Sequence, residues 1–151
     1  MQIKEIKPIN FLYFKTETKV SELSGFIPQI PKALHLEAAK LGLHVTGPVY
    51  WNYFGFTGDG SKPFTLEISI PIGELPDNYQ GDFLIGRTNT FKCLSTFHEG
   101  NWYDIPSTYG KMMQYIQHHN LNPVAVNREV YINCDFVNPE ANFTEIQMGI
   151  E

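Results

Sequence analysis

The chain has 151 residues and a mass of 17.3 kDa, the size of one domain, and it is long enough to bury a hydrophobic core. Hydrophobic residues make up 42% and charged residues 18%, which excludes a disordered chain and a coiled coil. The net charge of −5 and the scattered Lys and Arg residues argue against a nucleic-acid-binding surface, since phosphate contacts need clustered basic side chains.

The first half of the chain predicts a strand, a helix and two further strands. Alternating apolar residues indicate a strand over residues 2–20. The helix is expected to begin near Pro31 and to stop at Gly42. Its apolar face carries Leu34, Ala38 and Leu41. Strands over 49–56 and 64–72 follow, joined by a hairpin turn at residues 58–61.

The second half predicts the same order of elements. A strand over residues 82–98 leads to a helix that Asp104 can cap and that ends near Asn120. The residues expected to face inward are Tyr109, Met112, Met113 and Ile116. Strands over 125–134 and 143–150 complete the chain. The connector of residues 73–81 is too short to link independent domains, so we expect one domain over residues 1–151.

The two halves are predicted to be copies of one unit, about 1–73 and 81–151. Ile68, Ile70 and Ile72 align with Ile146, Met148 and Ile150 at a shift of 146 − 68 = 78 residues. The same shift aligns Tyr53 with Tyr131 and Leu43 with Leu121, and it brings the stretch from Phe11 near the stretch from Thr90. The sequence therefore predicts an α+β fold of tandem pseudo-symmetric βαββ repeats that share an antiparallel sheet.

The predicted strand over 125–134 has two faces, because alternate residues of a strand point in opposite directions. The residues expected to pack against the helices are Val126, Val130, Ile132 and Cys134. The opposite set is Asn127, Glu129, Tyr131 and Asn133, and the repeat adds Val49, Trp51 and Tyr53 to its face.

A carboxylate at Glu129 among aromatic rings suits an organic cation. Ring faces attract positive charge, and a partly desolvated carboxylate pairs with it. The same pattern also fits a solvated Glu129 on an open sheet face, with the rings packed against one another. The residues alone leave both interpretations open.

The motif Arg128-Glu129-Val130-Tyr131 resembles a signature of the GyrI-like small-molecule-binding domains, which also serve as effector-binding domains of AraC-type and MerR-type multidrug-responsive regulators. Residues 97–105 (FHEGNWYDI), Tyr109, Pro123 and the segment 144–146 (TEI) extend the resemblance. It implies two helices on one face of the shared sheet and a ligand cleft between the halves. It also implies that Glu129 lies in that cleft and contacts ligands that are often cationic and aromatic.

The ligand-binding residues expected from this resemblance and the repeat are one carboxylate and several rings. They are Glu129, Tyr131, Trp51, Tyr53, Trp102, Tyr103, Phe97 and Tyr13. The family often has Gly-x-Tyr before the second helix, whereas this chain has Gly100-Asn101-Trp102-Tyr103. The sequence leaves open which of Trp102 and Tyr103 reaches the cleft.

Three functions fit these residues. The favoured one is non-covalent binding of small hydrophobic, cationic aromatic molecules, for sensing or sequestration. The first alternative is a hydrolase of strained electrophiles with Glu129 as general base and Tyr131 as proton donor, while Tyr53 and Tyr103 stay open as donors. The second alternative is an inhibitor module that binds a larger protein such as a gyrase.

The remaining expectations concern location, metals and partners. The sequence has no N-terminal apolar segment, and its two cysteines make neither a disulfide framework nor a four-ligand zinc site, so we expect a cytoplasmic protein without membrane contact, metal or cofactor. Adjacent residues point about 100° apart on a helix, so His118 and His119 are not expected to share a metal.

The family's regulators carry a DNA-binding region ahead of this domain. Because this domain begins almost at Met1, we expect a stand-alone binder that works without direct DNA contact, with a separate regulator or enzyme as a possible partner.

Overall fold

The computed structural model describes residues 1–151 and contains eight strands and two α-helices. The strands are β1 (Gln2–Ile6), β2 (Asn10–Thr18), β3 (Val49–Phe54), β4 (Phe64–Pro71), β5 (Leu84–Arg87), β6 (Phe91–Glu99), β7 (Pro123–Tyr131) and β8 (Phe143–Ile150). The helices are α1 (Gln29–Lys40) and α2 (Ile105–His118), with short 3₁₀ segments at Val20–Phe26, Trp102–Asp104 and Pro139–Ala141. Neither helix has the length and apolar character needed to cross a bilayer.

All eight strands belong to one antiparallel sheet, as the α+β prediction requires. The strand order is β1-β6-β8-β7-β3-β4-β2-β5, so β7 and β3 form the centre where the two halves meet. The predicted strand over 64–72 and the predicted strand over 143–150 agree closely with β4 and β8. The fold class is therefore confirmed, with one sheet shared by both halves.

Each half has one strand more than the predicted βαββ unit. The single strand expected over 2–20 is split into β1 and β2 at Pro8, and the one expected over 82–98 is split into β5 and β6. Proline has no amide hydrogen to donate to a neighbouring strand, so it interrupts a ladder. The two breaks lie side by side. The Ile9 amide donates to Thr88 Oγ1, and the Thr88 amide donates to the Ile9 carbonyl, each at 2.9 Å.

The halves exchange these additional strands. β1 of the first half pairs with β6 of the second, and β5 of the second half pairs with β2 of the first. Both exchanged strands lie at the outer edges of the sheet. The two repeats are therefore connected at three places, the β3–β7 centre and the two edges.

The repeat is visible in the strand register. Trp51 of β3 pairs with Glu129 of β7, and these residues are 129 − 51 = 78 positions apart. The helices follow the same shift. Leu34 of α1 and Met112 of α2 are 112 − 34 = 78 positions apart, and both are 0% exposed. The shift is larger for β2 and β6. Pro71 and Gly149 are equivalent residues of β4 and β8, since 149 − 71 = 78, and they pair with Phe11 and Cys93. Phe11 therefore corresponds to Cys93, a shift of 93 − 11 = 82 residues. The predicted alignment of Phe11 near Thr90 was therefore three residues short.

Both helices pack on the same side of the sheet, called the helix face below, and the other side is called the back face. Leu34 and Ala38 of α1 belong to one core cluster, and Met112 and Ile116 of α2 belong to a second. Two residues expected to face inward do not do so: Leu41 follows the end of α1 and is 40% exposed, and Met113 is 36% exposed.

The prediction for the two faces of β7 was wrong. Glu129 pairs with Ile146 of the second core cluster and accepts a hydrogen bond from Tyr109 of α2, so Glu129 is on the helix face. Val126 and Val130 therefore point to the back face. The strand ends at Tyr131, and the expected inward residues Ile132 and Cys134 lie beyond it and are exposed. The apolar residues of β7 do not mark its interior face because the interior position is taken by a carboxylate.

Candidate functional site

Glu129 lies at the centre of the sheet, where the halves meet on the helix face. Its direct neighbours across the ladder are Trp51 of β3 and Ile146 of β8. The residue is 6% exposed, although a carboxylate is normally solvated. The open sheet face with a solvated Glu129, which the residues alone left possible, is not what the fold produces.

Three tyrosine hydroxyls donate hydrogen bonds to the Glu129 carboxylate. Tyr109 of α2 donates to Oε1 at 3.0 Å, and Tyr53 of β3 donates to Oε2 at 3.2 Å. Tyr131, two residues along β7 on the same face, also donates to Oε2. Hydrogen bonds to an ionised acceptor are stronger than those between neutral groups. The carboxylate is thus held in place from both halves of the sheet and from α2.

The titration behaviour of this group is set first by burial. Burial raises the pKa of Glu129 above its ordinary value, while the hydrogen bonds from Tyr131, Tyr109 and Tyr53 and the nearby His98 act in the opposite direction. Burial, together with the Glu129 charge, also raises the pKa of each of these three tyrosines well above the usual range. The phenols therefore stay neutral donors at physiological pH.

No cationic side chain pairs with Glu129. The two ion pairs in the chain, Lys4–Glu145 at 2.8 Å and Lys15–Glu67 at 4.0 Å, involve other carboxylates. The neighbouring Arg128 points to the back face, where its guanidinium carbon lies 4.1 Å from the centre of the Phe91 ring. A buried carboxylate is usually paired with a cation, and Glu129 has no such ion pair.

Aromatic rings cover the carboxylate on the helix face. Tyr131 contacts Trp51 edge-on with ring centres 6.1 Å apart, and it contacts Trp102 edge-on at 5.5 Å. Trp102 in turn contacts Phe136 at 5.5 Å. Two surface cavities, of about 270 and 300 Å³, lie elsewhere: the first is lined by residues 37, 40, 41 and 76–81, and the second by residues 1, 2, 4 and 95–97.

The structure brings most of the expected ring residues to this site. Trp51, Tyr53 and Tyr131 lie around Glu129, and Trp102 packs on Tyr131. Of the two candidates before α2, Trp102 therefore points inward, while Tyr103 is 92% exposed.

Two other expected residues are not near Glu129. Tyr13 pairs with Ser69 on the back face, and Phe97 pairs with Glu145 on the same face. Phe97 is 55% exposed and lies under the Lys4 ammonium, 5.8 Å from its ring centre. Both were expected in the site as aromatic residues, and strand alternation directs both away from it.

Three residues of the site were not among the expected ligand-binding residues. Tyr109 was expected to face inward from α2, but its hydroxyl was not assigned to the carboxylate. His98 is buried and lies near Glu129, with Nε2 donating to the Asn101 carbonyl at 2.8 Å and Nδ1 2.8 Å from Thr108 Oγ1. Phe136 lies on the β7–β8 loop, and no pattern in the sequence distinguishes it from other loop aromatics.

The chain contains no group of three or more His, Cys, Asp or Glu side chains placed to hold a metal ion.

The comparisons with known proteins give the family. A model described as the GyrI-like small molecule binding domain matches residues 1–151. The chain belongs to this family. A search of the curated proteins found no match.

Several solved structures share the fold of this GyrI-like domain. The C-terminal domain of EcmrR has a TM-score of 0.81 and 20% identity, with 99% of this chain and 96% of that chain covered. SAV2435, solved bound to tetraphenylphosphonium, has a TM-score of 0.70 and 15% identity, with 99% and 93% covered. A hydrolase encoded by lin2189 from Listeria innocua has a TM-score of 0.67 and 13% identity, with 99% and 91% covered.

Proposed function

We propose that this GyrI-like domain binds a hydrophobic organic cation with aromatic rings, without covalent chemistry, beside Glu129. The observation that carries the proposal is the 6% exposed carboxylate with no cationic side chain to pair with it. A ligand cation would supply the missing positive charge. The domain would then act in sensing or sequestering such molecules.

The surroundings of Glu129 suit this ligand in two ways. Tyr53, Tyr109 and Tyr131 hold the carboxylate by hydrogen bonds, so little ordering is left to be done when a cation arrives. The rings of Trp51 and Tyr131 offer faces and edges for apolar and cation–π contact. A desolvated cation–π contact is worth about 2 kcal/mol, and micromolar binding needs about 8 kcal/mol, so a few such contacts with apolar burial are enough.

A fold relative gives independent support for the ligand class. SAV2435 was solved with tetraphenylphosphonium, a cation that carries four aromatic rings and cannot lose its charge. The same compound is a suitable probe for this chain, and uncharged triphenylphosphine oxide is its neutral counterpart. We expect tetraphenylphosphonium to bind and the neutral compound to bind far more weakly.

The decisive variant is Glu129→Gln, which keeps the shape of the side chain and removes the charge. We expect it to weaken tetraphenylphosphonium binding at least tenfold in calorimetry, about 1.4 kcal/mol or more, and to change binding of the neutral compound little. The matched control is Glu67→Gln, since Glu67 is a partly buried carboxylate on the back face of β4. Equal losses for the charged and neutral compounds would contradict the charge pairing.

Hydrolysis is the second candidate, and one observation favours it. Burial raises the pKa of Glu129, and a carboxylate of raised pKa beside the Tyr131 hydroxyl can accept a proton from water while the phenol donates to a leaving atom. A fold relative from Listeria innocua is described as a hydrolase. Incubation with a strained cyclopropane electrophile tests this: turnover above buffer that disappears in Glu129→Gln would support hydrolysis, and no turnover above buffer would reject it.

A further inference from the structure

A line of edge-to-face aromatic contacts leads from Glu129 to the surface. Tyr131, which donates to Glu129, contacts Trp102 with ring centres 5.5 Å apart and planes at 83°. Trp102 contacts Phe136 at 5.5 Å and 80°, and Phe136 is 60% exposed. The indole is thus the ring that separates the tyrosine–carboxylate group from the outer rim.

The indole of Trp102 is poorly matched to its position. Its Nε1 is shielded from solvent and has no hydrogen-bond partner, while a buried indole N–H usually finds one. An unmatched buried donor costs about 1–3 kcal/mol. The ring is partly buried against the second core cluster, and its one polar atom is shielded without a partner.

The backbone that carries Trp102 is fixed independently of the ring. Trp102 begins a 3₁₀ segment directly after Asn101, whose carbonyl accepts from His98 Nε2 at 2.8 Å and whose Oδ1 accepts from the Tyr103 amide at 3.0 Å. Gly100, with φ +112°, provides the turn that leads out of β6. The side chain can therefore leave its place by rotation without unfolding of the strand or of α2.

We propose that the Trp102 indole occupies the aromatic part of the ligand site, and that an aromatic cation binds by displacing it. This inference rests on the proposed function. Replacing one ring by another against Tyr131 gains little, so a neutral aromatic molecule does not displace the indole. A molecule with the same ring and a positive charge gains the pairing with Glu129 in addition. The tethered ring therefore makes the site select molecules that combine both features.

The first test removes the competing ring with Trp102→Ala. The apparent affinity for a ligand is the intrinsic affinity multiplied by the fraction of molecules in which the indole has left the site. Removal of the indole should therefore tighten tetraphenylphosphonium binding at least tenfold. The variant should also bind free indole, seen as a rise in its melting temperature, while the wild-type protein shows no rise. Tyr103→Ala is the matched control, because Tyr103 is the next residue and is 92% exposed; it should change neither result.

The second test uses the unchanged protein, in case the alanine variant does not fold. Of its two tryptophans, Trp51 is 4% exposed in the sheet, so quenching by acrylamide reports mainly on Trp102. Saturation with tetraphenylphosphonium should increase the quenching, since the displaced indole enters solvent. Decreased or unchanged quenching on binding would overturn the displacement.

The two proposals fail in different ways. If tetraphenylphosphonium binds the wild-type protein and loses affinity in Glu129→Gln, but neither Trp102→Ala nor quenching responds, the displacement is wrong and the proposed function stands. If the cation binds neither the wild-type protein nor Trp102→Ala, the proposed function is wrong as well. Binding to Trp102→Ala but not to the wild-type protein would also contradict displacement, because the indole would then keep the cation out.

Discussion

Trp51 and Glu129 occupy the same position of the two repeats and pair with each other across the central β3–β7 ladder. The pseudo-twofold axis therefore passes between an indole and a carboxylate. Equivalent residues of the two repeats lie on either side of this axis, and these two are direct neighbours across it. The difference between them gives the site a single negative charge with a ring at its side.

The pH dependence of stability should change in Glu129→Gln. The pKa of Glu129 is raised in the folded protein, so its contribution to stability is fully present below the unfolded pKa and is lost as pH rises through the folded pKa. The variant has no such loss. Its free energy of unfolding relative to wild type should therefore increase from pH 4 to pH 8, by about 1.4 kcal/mol for each unit of pKa shift. Denaturant unfolding across this range measures it, and parallel curves would show that the shift is absent.

Binding of tetraphenylphosphonium should strengthen as pH rises. The cation pairs with ionised Glu129, whose pKa is raised by burial, so affinity is low where the carboxyl is protonated and levels off above its pKa. Binding at lower pH should also release a proton, which calorimetry in buffers of different ionisation enthalpy detects. Triphenylphosphine oxide provides the control, and the same pH dependence for this neutral compound would point to a cause other than Glu129.

Removal of the Tyr109 hydroxyl should destabilise the site more than its size suggests. Tyr109 is the phenol that donates to Oε1, whereas Tyr53 and Tyr131 both donate to Oε2. Tyr109→Phe therefore leaves one buried carboxylate oxygen without this donor, at a cost of about 1–3 kcal/mol, and raises the pKa of Glu129 further. Tyr115→Phe on the same helix, where the ring stacks on His119 at 3.8 Å, is the control. Similar losses for both variants would argue against a special role of the Tyr109 hydroxyl.

Two glycine-to-alanine substitutions should have opposite effects. A Cβ at Gly149 would lie 2.7 Å from the Val126 carbonyl oxygen and 2.9 Å from the Phe91 ring, so Gly149→Ala should destabilise the fold by about 1–3 kcal/mol. A Cβ at Gly110 in α2 meets nothing within 4 Å. Gly110→Ala should stabilise the helix by about 1 kcal/mol. Thermal unfolding of both variants checks the signs, and a stabilised Gly149→Ala would contradict the close packing of β8 on β7.

Much of the fold could be predicted from the sequence because the repeat is recorded in apolar residues. Leu34 and Met112, or Ile68 and Ile146, keep their spacing since they fill equivalent places in the core. The strand exchange could not be predicted in the same way. Pro8 indicates a break, but which strand pairs with β1 depends on contacts between residues about 90 positions apart, such as Ile3 with Leu94.

The site was harder to predict because it breaks the rule by which strand faces are assigned. The face of a strand that packs against helices is normally the apolar one, whereas β7 turns Glu129 and Tyr131 to the helix face and Val130 to the back face. The motif around Glu129 identified the residue, whereas alternation alone placed it on the wrong side. Aromatic residues such as Tyr13 and Phe97 are too frequent in this chain for their identity alone to assign them to the site.

The exchanged edge strands β1 and β5 make each half of the sheet depend on the other half. Each half keeps its first strand in the sheet of its neighbour, which is the arrangement of two identical subunits that have swapped an arm. The short connector between β4 and β5 makes that swap intramolecular, so it no longer depends on protein concentration. Neither half can form its part of the sheet without a strand from the other half. We therefore expect the molecule to unfold as a single cooperative unit.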